Sequence, residues 1–216
     1  MTRKLTTLLL LAVAMYASAQ GRYCRSYDDF VAGKWTEVAQ LKPIVHSTAH
    51  KVWVGGNDFK FESGDKATDK VLKKEALVVE YMDTLYVNLR TLRYQGCRFG
   101  NGYAQGLPYD GNKILFVTHR IGKSVVGKRA FSAFMFGAIG AAISETGVQK
   151  DRVCYLIDNN GDGKTTDILL LGDEFMRTLL AIDEKMLARY NEKESQKERE
   201  SAANVLPLLK ETGLVK

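Results

Sequence analysis

The sequence predicts an α+β fold: a mainly antiparallel sheet with a glycine-rich buried helical segment and helices at its C-terminal end. Three patterns carry that expectation. Residues 77–89 alternate apolar and polar on both sides of Asp83-Thr84, the mark of a hairpin with one apolar face. Short apolar runs at 113–120, 152–158 and 166–171 read as further strands. From Asp173 onward the apolar residues recur at helical spacing instead.

The chain opens with Arg3 and Lys4, a leucine-rich run over 5–14, and Ala17-Ser18-Ala19 before Gln20. Charged, apolar and small-residue regions in that order describe a secretory signal peptide over 1–19. The remainder divides into an α+β domain at 20–182 and a charged helix with a docking tail at 183–216. The formal charge is +6, and loss of Arg3 and Lys4 leaves +4. So mild an excess does not point to nucleic acid. Cys24, Cys97 and Cys154 are an odd set for an oxidising compartment. Cys154 alternates with apolar neighbours and reads as buried; if a bridge exists, Cys24 and Cys97, both in loop-like context, are the pair for it, and the sequence leaves the pairing open.

Ser26 followed by Asp29 predicts a capped short helix through Phe30, stopped at Gly33. Pro43 marks a break. His46 and His50 stand four apart, but no third ligand accompanies them, and solvated histidines are the ordinary reading. Residues 51–55 and 58–62 read as a hairpin turned at Gly56-Asn57. Residues 65–74 are charged and expected to be exposed. The run 166–171 is almost wholly apolar and is expected to be a central strand.

Between the strands, residues 94–112 carry five glycines and interleaved rings. A long loop in a compact domain is often functional. Arg93, Tyr94, Arg98, Phe99, Tyr103 and Tyr109 are therefore candidate ligand-binding residues, since rings beside guanidinium groups can stack on a sugar or peptide. The ordinary reading, and the one preferred, is that the rings fold back over the open end of the sheet. Residues 131–147 are the most apolar after the leader, with small residues four apart, and 130–143 carry no charge. Fourteen residues span about 21 Å as a helix, short of the roughly 30 Å hydrocarbon layer. A buried helix is expected, with a glycine-zipper face that associates with a membrane or with itself as the alternative. Upstream, Gly122, Gly127 and Lys128 imitate a phosphate loop, but Arg129 replaces its Ser or Thr, and that reading fails.

The run 158–163 matches the start of a calcium loop, with Asp158, Asn160 and Asp162 as donors and Asp167 as a possible fourth. The twelfth position is Leu169, where a carboxylate should close the shell. Asn-Gly and Asp-Gly are also ordinary turn residues. Further on, Asp173 and Asp183 are expected to cap two helices, the second running into NEKESQKERE, where charges of both signs cancel. Residues 205–209 should dock back on the body, with a kink at Pro207.

The start at Tyr27-Asp28-Asp29-Phe30, the block LYVNLRTLRYQGCRFGNGYA over 85–104, the YLID strand and the Glu/Lys-rich tail together resemble a domain-of-unknown-function family of exported proteins from gut anaerobic Gram-negative bacteria. The resemblance implies export and one α+β unit, and brings no catalytic residues with it. No carboxylate pair, triad or complete ligand set stands out. The expectation is a non-catalytic protein of the periplasm or cell envelope that binds an envelope protein or glycan and needs no cofactor. A calcium-assisted glycan-binding module and a membrane-associating or oligomerising protein are the alternatives.

Overall fold

The computed structural model describes residues 21–47, 58–122, 152–158 and 167–215. The expected leader at 1–19 and the apolar segment 131–147 lie outside the described residues. So do His50, the proposed strand at 51–55, Asn160 and Asp162. The strands are β1 (Gly21–Cys24), β2 (Thr36–Val38), β3 (Lys42–Val45), β4 (Phe59–Glu62), β5 (Val78–Tyr81) and β6 (Thr84–Asn88). They continue as β7 (Arg93–Tyr94), β8 (Cys97–Arg98), β9 (Tyr103–Tyr109), β10 (Lys113–His119), β11 (Arg152–Asp158) and β12 (Asp167–Leu170). The helices are α1 (Tyr27–Val31), α2 (Lys66–Lys74), α3 (Asp173–Leu180), α4 (Glu184–Asn191), α5 (Gln196–Arg199) and α6 (Ala202–Glu211).

The mainly antiparallel α+β architecture is as expected. The sheet runs β12-β11-β10-β9-β6-β5-β1-β2, with the β3–β4 hairpin joined to β9 through Phe59 opposite Tyr103. Side-chain alternation splits its interior in two. Ile114 and Phe116 of β10 and Val153, Tyr155 and Ile157 of β11 enter one cluster with Leu85, Val87 and Leu89. Leu115, Cys154 and Leu156, the residues between them, enter another with the C-terminal helices. Two covered faces are why β11 reads as unbroken apolar sequence. On the helical face a third cluster joins Leu72 of α2 to Tyr23, Val79, Phe61 and Tyr103.

Several elements form for the reasons the sequence suggested. The Ser26 hydroxyl accepts the Asp29 amide at 3.0 Å and caps α1, and Asp183 caps α4 by accepting from Lys185 and Met186 at 2.9 and 3.1 Å. The β5–β6 hairpin turns through Met82 and Asp83 at φ 49° and 57°, the left-handed pair that suits the twist of the strands.

Other elements differ. Residues 66–74 form the amphipathic α2, whose Leu72 is fully buried, so the charges are only its outer face. Strand β4 pairs with β3 and, through Phe59, with β9, and Pro43 lies inside β3 where a break was expected. Among the described residues β3 bonds only β4, and an outer strand tolerates a missing N–H. Within the apolar run 166–171, which was expected to be central, β12 pairs only with β11 among the described residues, and Leu169 is exposed. Its neighbours Ile168 and Leu170 lean on one cluster while Leu171 enters the other. Asp173 is the first residue of α3 rather than its cap, which falls at Gly172. The charged tail breaks into α4 and α5, and α6 carries Pro207 inside it and buries Val205, Leu208 and Leu209.

Candidate functional site

The six candidate binding residues do not gather. Phe99, Tyr103 and Tyr109 are 7%, 3% and 4% exposed and belong to three different clusters. Phe99 packs edge-on against Tyr155 and Phe116 at 4.9 and 5.4 Å. Tyr103 donates its hydroxyl to the Leu72 carbonyl, and burial raises its pKa. Tyr109 lies against the C-terminal helices and pairs with Val215. More than a third of the supposed loop is the seven-residue strand β9. The rings serve the interior because a sheet covered on both sides needs large side chains on each.

Arg93, Tyr94 and Arg98 do come together. Strands β7 and β8 form a separate two-stranded ribbon in which Tyr94 faces Cys97 and Arg93 faces Arg98. Its turn, Gln95-Gly96, has φ of 51° and 78°, again the left-handed pair that fits a two-residue hairpin. The inner side of the ribbon is apolar: Tyr94 and Cys97 pack on the core, with the Tyr94 ring 5.3 Å from Tyr155. The outer side carries Arg93 and Arg98, both exposed. No hydrogen bond or ion pair joins either guanidinium to another side chain among the described residues. At the base, Arg90 reaches across to Asn101 with a 2.8 Å hydrogen bond, a neutral partner.

A ribbon of two pairs is not stable alone, and like charges directly opposite are destabilising. The anchoring comes from Tyr94 and Cys97, and the arginines work against it. What the arrangement can do chemically is present two adjacent forked donors to an anion. Arg90, overlooked as a site residue, had a visible signal: residues 84–109 contain three arginines and no Asp or Glu.

The proposed calcium set fares differently. Asp158 ends β11 directly opposite Asp167 at the start of β12. The Lys113 ammonium lies 3.0 Å from the Asp158 carboxylate and neutralises it. No group of three or more His, Cys, Asp or Glu side chains suited to a metal occurs among the described residues. The expected disulfide is not formed, and all three cysteines are free. Cys24 is a strand residue, not a loop residue, and its thiol points to the Lys34 carbonyl at 3.4 Å. Burial pushes the Cys24 and Cys154 thiols up to about 12, which keeps both protonated and unreactive.

Two other polar features are already satisfied from within. A recess of about 370 Å³ lies between β2 and the first turn of α2, lined by Thr36, Gln40, Ser63 and Thr68 over a floor of Tyr23 and Val38. Its wall is tied to itself: the Ser63 amide and hydroxyl donate to Asp69, and the Thr68 amide and hydroxyl to Asp65. At the other end of the chain, Asp173 accepts from Arg199 at 2.7 Å and Arg177 at 3.0 Å. Those two guanidinium groups, Arg199 first, hold its pKa at about 2. Glu200, 4% exposed, pairs with Arg120 and accepts from the Asp173 amide and Gln196. These carboxylates fasten α3 and α5 to the end of β10, and their lone pairs are spoken for.

The fold and this surface define an antiparallel α+β protein with a displayed basic ribbon. Over residues 22–216 the chain matches DUF6563, a family of unknown function, and it belongs to that family. No curated protein and no solved structure matches it.

Proposed function

We propose that the protein is a non-catalytic, exported component of the periplasm or cell envelope that binds an anionic partner through the β7–β8 ribbon. The observation that carries this reading is the exposed Arg93–Arg98 pair, held opposite one another by an apolar underside and left without a counter-charge among the described residues. A pair that disfavours its own hairpin is readily understood if a ligand neutralises it. Export is supported by the charged, apolar and small-residue order over 1–19. The calcium-assisted glycan reading gains no support from the ring positions, which are internal, or from Asp158, which has its own ammonium.

The test is retention of envelope material on immobilised protein. Wild type is expected to hold envelope components at low salt and release them at high salt, because exposed charges are screened. Arg93→Ala/Arg98→Ala, with an unchanged melting temperature, should retain several-fold less. Equal retention by both proteins would refute the ribbon as the binding surface. N-terminal sequencing of protein recovered from cells should begin at Gln20, and an intact Met1 terminus would refute export by cleavage.

A further inference from the structure

We infer that the recess between β2 and α2 is a second binding site, shaped for one unit of a neutral carbohydrate. It shares no lining residue with the ribbon and stands or falls separately from it.

The recess is built from both sides. Tyr23 of β1 stands opposite Thr36 of β2, and Val38, two residues further along β2, shares their face. The chain leaves β2 through Ala39 and Gln40 and is drawn back over β1 by Leu41. That side chain is 2% exposed and lies against Gly21, where a Cβ would collide with it. On the far side, the bonds from Ser63 to Asp69 and from Thr68 to Asp65 fix the turn into α2. Both walls are therefore held before any ligand arrives. A volume of about 370 Å³ falls within the roughly 300–1,000 Å³ of small-molecule sites.

The bonds that satisfy the α2 wall leave the floor unused. Tyr23 is only 5% exposed, yet its hydroxyl has no hydrogen-bond partner among the described residues. Buried polar groups are ordinarily hydrogen-bonded, and Tyr23 lines the recess, so its partner is whatever occupies that space. The Thr36 hydroxyl and the Gln40 amide, on the same lining, also have no partner among the described residues.

The class of ligand follows from what these groups are and from which charges are spent. No Lys, Arg or His lines the recess among the described residues. The N-terminus of α2 would attract an anion, but Asp65 already occupies it. Asp65 in turn accepts the Thr68 amide and hydroxyl, each at 2.8 Å, which leaves little charge for a cation. Glu37 alternates with Thr36 and Val38 and stands opposite Arg22, so its side chain belongs to the other face of the sheet. What remains is two hydroxyls and an amide, groups that both donate and accept. Sugar hydroxyls do the same, and Val38 and Ala39 offer an apolar surface to the carbon face of a sugar ring.

The experiment is saturation-transfer NMR on the purified protein with glucose, galactose, mannose and N-acetylglucosamine at millimolar concentration. Glucosamine and glucose 6-phosphate serve as the cationic and anionic counterparts. At least one neutral sugar is expected to bind, and more tightly than either charged one. Tyr23→Phe keeps the ring and removes the hydroxyl, and should weaken that sugar about five-fold, the effect of one neutral hydrogen bond. Gln40→Ala, at an exposed position outside the strands, should weaken it similarly with an unchanged melting temperature. Arg93→Ala/Arg98→Ala should bind the sugar as wild type does. Absence of binding by all four neutral sugars overturns the inference, as does tighter binding of a charged one. Equal affinity in wild type, Tyr23→Phe and Gln40→Ala also overturns it. So does loss of the sugar in the arginine variant, which would place it on the ribbon instead.

Discussion

Asn88 shows how a single polar side chain can hold an element in place. It is 1% exposed, and its amide nitrogen donates to the carbonyls of Ala76 and Leu72 at 2.8 and 3.2 Å, just where α2 ends. Helix C-termini leave carbonyls without partners, and here a neighbouring strand supplies the donor. Its oxygen is used as well, accepting from the Arg90 amide at 3.1 Å. Asn88→Leu should therefore cost about 2–3 kcal/mol, since it buries unsatisfied backbone groups, and urea unfolding would measure it. A loss below 0.5 kcal/mol would mean that water or Tyr103 takes over. In sequence, Asn88 was only a polar position in an alternating strand. Its role depends on where α2 stops, which residues 65–74 did not announce because their charges hid one buried leucine.

At the scale of elements, β9 is the strand the sequence concealed. Glycines and a proline ordinarily argue against a central strand, and residues 94–112 read as a loop for that reason. Gly106 is nevertheless central, opposite Leu85 on β6 and Phe116 on β10. A Cβ there would lie 3.1 Å from a Val87 methyl and 3.3 Å from an Ile114 methyl. Gly106→Val should destabilise by about 1–3 kcal/mol through overpacking, read as a lowered melting temperature, and a neutral result would show that the β6–β9–β10 contact is looser than the distances indicate. Elements with a regular alternating or helical pattern, such as the β5–β6 hairpin and α4, were legible. β9, broken by glycines and a proline, was not, and β12 was legible as a strand but not in its place in the sheet. Of the candidate site, the ribbon arginines and Tyr94 were legible from composition. Phe99, Tyr103 and Tyr109 were legible as rings that fold back on the sheet but not as members of three separate clusters, because an aromatic residue beside glycine does not announce which face it serves.

For the whole molecule, the C-terminal third is fastened to the sheet by charge as well as by packing. Asp173 is the clearest case, with its carboxyl held near 2 by Arg199 and Arg177. A group whose pKa is depressed on folding stabilises above its unfolded value, near 3.9, and that contribution is lost as pH falls through the folded value. Asp173→Asn should therefore be less stable than wild type at pH 5, by about 2 kcal/mol for hydrogen bonds to charged groups. The two proteins should converge as pH falls from about 4 toward 2. Parallel melting curves that keep a constant gap down to pH 2 would refute the assignment. The same packing joins the tail to the body, for Tyr190, Val205 and Val215 share a cluster with Tyr109 and Leu156.

The place of β1 has a consequence for the order in which the molecule can be made. This first strand lies between β2 and β5, and Arg22 meets Glu80 from 58 positions further along. Chains are synthesised from the N-terminus at about 5–20 residues per second, so β1 waits seconds for its inner neighbour. Closure waits longer still, because Val215 must arrive before it can bridge to Tyr109. The Tyr109–Val215 bridge therefore joins residues 106 positions apart and cannot form while the segment between them is still being made.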